Sequence, residues 1–429
     1  MVGSEGVGAG QRYTGRYLLV LGEDLRGDDD ASCTAIRELS GAEEVTNTRD
    51  AERGAAPRTH PTFFAELGVA VADLTAQQLS TARADRRLLG VEPERVQRAI
   101  GVPRFGAAPG GSLSEEYLRG FRDAAQFLHA TAAGAGTAAV APAQFGDTDE
   151  LTWGLQATGV AEAPETGAGV AIAVLDTGLD LAHPDFAGRN IEARSFVEGQ
   201  EPQDVQGHGT HTTGTACGAL TPGTGRRYGV AHEARILVGK VLGDDGSGTD
   251  ADILAGMSWA ISAGARVISM SLGADLQEVS TAYETAGRRA LEAGTLVVAA
   301  AGNNAERGAG NPGFVGVPAN SPSIMAVGAV DVALAIADFS AASSSVDGGQ
   351  VDIAAPGVDV YSSWPAPQNT NTISGTSMAT PHVAGIAALW SQRTGATGQQ
   401  LWTQLVQAAQ RLPLPATDVG AGLVRAPGA

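Results

Sequence analysis

Lysine is almost missing from this chain: of 28 basic residues in 429, only Lys240 is a lysine. Cysteine is as scarce. Cys33 and Cys217 offer no metal spacing and no disulfide framework, so they leave the redox compartment open. No uninterrupted apolar run reaches the roughly 20 residues that a membrane span needs. Positive charge is in deficit too, with 47 acids giving a net charge of −19. The deficit is spread out: 22 acids face 15 bases in residues 1–150, and 25 face 13 in residues 151–429. No basic arm hides in the total, and such a chain repels phosphate backbones and anionic lipid, which excludes nucleic acid and membranes as main partners. Met1-Val2-Gly3-Ser4-Glu5 lacks the basic and apolar regions of a signal peptide, so the sequence as written reads as soluble and cytoplasmic.

What is present suits a folded protein. The apolar share is 43%, enough for a sizeable core. Fifty-eight glycines imply many tight turns and close backbone approaches. The length favours two domains. After a glycine-rich segment at 1–15, the pattern predicts a strand at 17–21, a helix over 31–39 capped by Asp30 or Ser32, and a strand across 63–71. A helix from Leu74 and an edge strand at 88–93 complete a small α+β module over 16–98. Residues 99–147 form a linker with one amphipathic helix, 114–130, before an Ala/Gly/Pro tract. In 148–429, apolar runs at 170–175, 236–241, 267–270, 296–300 and 323–327 alternate with helical stretches such as 250–263 and 281–293. Runs buried on both faces and separated by helices indicate an α/β fold, a three-layer parallel sheet with helices on both faces.

Ligands gather beyond the carboxyl ends of such strands, and four clusters sit where that chemistry belongs. Asp176 in Leu175-Asp176-Thr177-Gly178 could orient a base or merely cap a turn. Gly207-His208-Gly209-Thr210-His211 has the histidine spacing of a helical metal pair, but lacks the glutamate of His-Glu-x-x-His and a third ligand. Ser377, in Gly375-Thr376-Ser377-Met378-Ala379, opens a helix and could be only its cap. A serine there, with an imidazole to take its proton and a carboxylate to orient the imidazole, is what acyl transfer needs. Asn303 in Gly302-Asn303-Asn304 could be a turn residue or donate its amide to an oxyanion.

Together, in the order Asp176, His208, Asn303, Ser377 and with these flanking residues, the clusters closely resemble the subtilisin-like serine proteases over about residues 151–410. The resemblance implies a serine endopeptidase working through an acyl-enzyme, with Asp176, His208 and Ser377 as triad. It implies an oxyanion hole of Asn303 and the Ser377 N–H, with Thr376 a weaker contributor. His211 and His382 match structural positions. Ser271, Leu272 and Gly273 resemble one edge of the substrate channel and Gly246, Ser247 and Gly248 the other, with Leu242 near the pocket three residues upstream of the primary one. Small residues at Gly273, Ala301, Gly302 and Gly316 imply an open apolar primary pocket, hence broad cleavage after large apolar residues.

No cofactor is required for that chemistry. Asp185 in His183-Pro184-Asp185-Phe186 matches a calcium ligand of the family, although Gly218 to Gly229, which should complete the site, contains Arg226 and Arg227 and no Asn or Asp. Residues 16–94, with Gly68-Val69-Ala70-Val71 and Val91-Glu92-Pro93, resemble the family's inhibitory propeptide, a ferredoxin-like α+β fold. The implied protein is a monomeric zymogen whose partners are polypeptide substrates and its own propeptide, with a processing site between 100 and 150. The family resemblance points to secretion, against the missing signal peptide. A dedicated processing protease or a durably propeptide-inhibited complex is the alternative. Other enzyme classes fit poorly. An esterase nucleophile elbow would need Gly-x-Ser-x-Gly, with its acid and base after the serine. A phosphate-binding loop fails because Val241 follows Gly239-Lys240.

Overall fold

A computed structural model describes residues 13–50, 60–100 and 145–429. The expected 114–130 helix and most of its linker lie outside the described residues. The N-terminal unit runs β1 (Tyr13–Leu21), α1 (Asp29–Ser40), β2 (Thr46–Asn47), β3 (Thr62–Phe64), β4 (Val69–Ala72), α2 (Ala76–Ala84) and β5 (Leu88–Ala99). Its sheet order is β5-β1-β4-β3-β2, antiparallel apart from the β2–β3 pair, the ferredoxin-like arrangement. The period-2 alternation of β1 is divided between two cores. Leu19 and Leu21 pack with Ile36 and Leu39 of α1. Leu18 and Val20 face the other way, into the core that contains Tyr283 and Ala286 of the larger unit.

Two details depart from the sequence pattern. The strand expected across 63–71 is a hairpin, because Phe64 O accepts from both Leu67 N and Gly68 N and Gly68 takes φ +64°, a conformation that favours glycine. Asp28, not Asp30 or Ser32, caps α1 by accepting from Ala31 N at 2.9 Å.

The larger unit follows α3 (Trp153–Ala157) with β6 (Ala171–Asp176), β7 (Ile191–Ser195), α4 (His208–Cys217), β8 (Arg235–Lys240), β9 (Ser247–Thr249), α5 (Asp250–Ser262), β10 (Val267–Met270) and β11 (Leu272–Gly273). Then come α6 (Thr281–Glu292), β12 (Leu296–Ala300), β13 (Met325–Val330), β14 (Ile353–Pro356), β15 (Val360–Ser363), β16 (Thr370–Ile373), α7 (Thr376–Thr394) and α8 (Gly398–Ala408). Seven strands form a parallel sheet in the order β14-β13-β12-β10-β6-β8-β7. Its two faces carry separate cores: α5 and α6 cover one, and α7 and α8 cover the other. The expected layers are therefore present, and β6 ends at Asp176.

The units meet along β5, which extends beyond the short edge strand expected from the sequence. Its last residues pair antiparallel with two strands of the larger unit, Val96–Arg98 with β9 and Arg98–Ala99 with β11.

Candidate active site

Asp176 is held at its strand end by accepting from Thr177 N at 2.7 Å and from Thr212 Oγ1 at 3.1 Å. His208 opens α4, and its Nδ1 lies 2.8 Å and 3.0 Å from the two Asp176 oxygens. Their approach depends on glycine: a Cβ on Gly209 would stand 2.2 Å from Gly178 O. Burial alone would push the His208 pKa down, but the Asp176 carboxylate outweighs it, helped by Asp204 and the Ile100 backbone, and the imidazole is held above its ordinary value.

Asp204, which the sequence reading missed, organises this corner. Its carboxylate accepts from Thr177 Oγ1, Gln206 N, Gly207 N, Thr210 N and Thr210 Oγ1, all within 3.0 Å. An Asp four residues ahead of a helix-opening histidine was the available signal, since buried carboxylates seek exposed helix N–H groups.

Ser377 is fully buried in the first turn of α7. It is tied to the β10–β11 junction by two opposed bonds: Ser377 Oγ donates to Ser271 O at 3.2 Å, and Ser271 Oγ donates to Ser377 O at 2.8 Å. His208 Nε2 forms no hydrogen bond among the described residues. Asn303 Oδ1 accepts from Thr376 N at 3.0 Å and Thr376 Oγ1 at 2.9 Å, which leaves the amide NH₂ as its donating end. The Thr376 hydroxyl, expected to donate to an oxyanion, spends its proton on Asn303 and accepts from Gly302 N at 3.2 Å.

The channel edges expected from the sequence are occupied by β5. Ala99 N donates to Gly246 O at 3.0 Å and Ile100 N to Ser271 O at 3.1 Å, while Gly248 pairs with Gln97, Ser247 with Arg98 and Leu272 with Ala99. A Cβ on Gly273 would sit 2.7 Å from the Val317 carbonyl oxygen and 2.7 Å from Ile100 Cδ1. Gly316 donates to Ala301 O at 3.1 Å and is too close to Ala274 O for a side chain. Leu242 is buried and packs behind Gly248, 3.1 Å from where a Cβ would stand.

Asp185 does not fit the calcium site expected of it. Its carboxylate accepts from Tyr228 OH at 2.7 Å and from the backbone and hydroxyl of Thr224. Proton donors therefore face both oxygens where a hard cation would need lone pairs. Among the described residues no three His, Cys, Asp or Glu side chains gather as a metal set. His211 bonds Val360 O and His382 bonds Met378 O; burial pushes their pKa values down to about 3 and about 4. Both are neutral packing residues. Burial pushes the Cys217 thiol up to about 12, so it is no thiolate nucleophile.

A serine at one helix mouth, an imidazole at another paired with a carboxylate at a strand end, and an oriented amide suit a serine hydrolase on a parallel α/β sheet. The profile of the subtilase family matches residues 167–423, and the chain belongs to that family. It is 44% identical over 225 residues to subtilisin DY of Bacillus licheniformis, covering 52% of this chain and 77% of that protein. It is 42% identical over 257 residues to a subtilisin of Bacillus pumilus, covering 59% and 86%. A thermophilic serine proteinase of Bacillus sp. strain AK1 is 39% identical over 245 residues, with 57% of each chain covered. The protein is a subtilisin-like serine endopeptidase acting on polypeptides.

Proposed function

We propose that the chain is a self-inhibited zymogen that cuts itself between Ile100 and Gly101 and then cleaves polypeptides after apolar residues. In this reading His208 takes the Ser377 proton as Oγ attacks the scissile carbonyl, and Asp176 stabilises the imidazolium that results. The Asn303 amide and the Ser377 N–H receive the oxyanion. His208 returns its proton to the leaving amine, the acyl-enzyme forms, and water releases it by the reverse sequence.

The observation that carries the proposal is the lie of residues 96–100. They form a strand between β9 and β11, and the Ile100 backbone contributes to the raised pKa of His208. An extended substrate adds to an exposed edge in the same way. The Ile100 side chain against Gly273 supports an apolar primary pocket.

The ionic frame across the interface supports inhibition that outlasts cleavage. Glu92 accepts from the Thr281 N–H and from Ser280 Oγ at the start of α6, and Glu94 accepts from Ala251 N at the start of α5. Carboxylates are favoured at helix N-termini such as these. An intact-mass time course of the full-length chain beside Ser377→Ala tests the reading. The wild type should yield a fragment ending at Ile100 while the variant stays whole. A first cut elsewhere, or equal cutting in both, refutes it.

A further inference from the structure

The chain's one lysine is fully buried, while every other base is an arginine. Lys240 ends β8, and the parallel pairing of β6 with β8 sets it beside Asp176, as Val238 stands beside Val174. Both valines face the core that α7 and α8 cover, so the alternation of the strands turns Asp176 and Lys240 to that same face. Lys240 Nζ donates to Thr177 O at 2.7 Å and lies 2.9 Å from Oδ1 of Asp244, a half-exposed carboxylate.

Thr177 follows Asp176 and is held from several sides. Its N–H donates to Asp176 Oδ1 and its hydroxyl to Asp204 Oδ1, while the hydroxyl accepts from Gly209 N of α4. Lys240 takes the remaining group, the carbonyl. Asp244 stands two residues before Gly246, whose carbonyl accepts from Ala99 N in the cleft. One ammonium therefore ties the turn after Asp176 to the loop at the channel edge. Packing does not call for a charge here, since Ile236, Leu237 and Val238 of the same strand are apolar and fully or almost fully buried, and a buried ammonium is costly unless paired and hydrogen-bonded. An arginine would bring the five donors of a planar fork to one carbonyl and one carboxylate.

We propose that Lys240 is a positioning residue for the hydrolytic reaction, fixing the Asp176–Thr177 turn against His208 and coupling that turn to the channel edge. The proposal rests on the reading of Asp176, His208 and Ser377 as the triad. Other ionisable groups beside them are Asp204, bonded to Thr177, and His211, which burial keeps neutral. On β7, the neighbour of β8, Arg194 lies over the ring of Phe196 on the other face of the sheet. Removing the Lys240 cation eases protonation of His208, and removing the Asp244 carboxylate hinders it.

The test uses the full-length chain, incubated until its peptidase activity is constant, and an apolar chromogenic peptide anilide. Lys240→Met keeps the stem and drops the ammonium. We expect kcat to fall about 5- to 50-fold with KM within about twofold, and the acidic limb of kcat/KM to move to higher pH. Asp244→Asn should move that limb to lower pH, by about 0.3 or more. A general loosening of the fold would not drive the limb in opposite directions. An unchanged kcat or an unmoved limb in folded Lys240→Met, or a limb that Asp244→Asn leaves in place or raises, overturns the proposal. If Lys240→Met does not fold, the Asp244→Asn limb decides. Asp176→Asn measured alongside keeps the two readings apart. Full turnover there refutes the triad itself, whereas a crippled Asp176→Asn beside unmoved limbs in the other two variants refutes only the role of Lys240.

Discussion

Replacing Thr376 with valine tests the oxyanion role that the sequence suggests for its hydroxyl against the tether to Asn303 that the structure shows. The side chain keeps its volume and loses only the oxygen that donates to Asn303 Oδ1 at 2.9 Å and accepts from Gly302 N at 3.2 Å. Asn303 Oδ1 still receives the Thr376 N–H at 3.0 Å, so the amide keeps one of its two tethers. A hydrogen bond of this kind is worth about 0.5–1.5 kcal/mol net, equivalent to about 2- to 13-fold. Losing an oxyanion donor outright costs about 100- to 1000-fold. The expected result for Thr376→Val is therefore a fall in kcat of about 3- to 10-fold, with KM little changed, because only the amide's orientation in the transition state suffers. The Gly302 N–H loses its acceptor in a buried site, so stability should also fall by about 1–3 kcal/mol. Thr376→Ser should restore both. Steady-state kinetics on one apolar peptide anilide, with thermal unfolding of the Ser377→Ala background in parallel, measures the two effects separately. A kcat loss of 100-fold or more would mean that the hydroxyl itself touches the oxyanion, and an unchanged kcat would mean that Asn303 needs no second tether.

Asp176→Asn should lower kcat on the order of 10⁴-fold. It removes the carboxylate that holds the His208 pKa above its ordinary value. Wild-type activity is lost as pH falls through that raised pKa, because a protonated imidazole accepts no proton. The acidic limb of kcat/KM should therefore move to lower pH in the variant; a limb that stays put argues that Asp176 is not what raises His208. Asp185→Asn should cost about 1–3 kcal/mol of stability, since an amide set against Tyr228 OH and Thr224 cannot accept on both arms. That loss should be the same with and without a chelator in thermal unfolding, whereas a loss that vanishes in chelator would place calcium at Asp185.

The catalytic sheet was legible because its strands are buried on both faces. Ile172 and Val298, for example, are fully enclosed and read as continuous apolar runs. The Asp176–His208 pair was legible because each member stands in a short motif whose neighbours are also constrained, such as Gly209 against Gly178 O. Features set by distant partners were hidden. Nothing local marks the end of β5 as a strand, because residues 96–99 pair with β9 and β11, far along the chain. The break at Gly68 was hidden too: Val69-Ala70-Val71 continues the apolar pattern of Phe63-Phe64-Ala65, and only the positive φ reverses the chain. Asp204 looks like any loop acid until its five donors are in place.

If the N-terminal unit inhibits as proposed, one geometric fact connects inhibition and catalysis. Main-chain bonds such as Ala99 N to Gly246 O and Ile100 N to Ser271 O would form with nearly any extended peptide, so they cannot by themselves explain why this strand stays in the cleft. The difference lies in what is attached to it. Leu18, Val20, Val69 and Val71 join the core shared with α6, Glu92 and Glu94 sit at the starts of α6 and α5, and Arg288 pairs with Glu23 at 2.6 Å. On the proposed reading, the ferredoxin-like unit holds the strand at high effective concentration along the β9 and β11 edges. A free peptide of the same sequence has the backbone bonds without the tether. It should bind far more weakly and leave after one turnover, which is what distinguishes a substrate from an inhibitor built on the same strand.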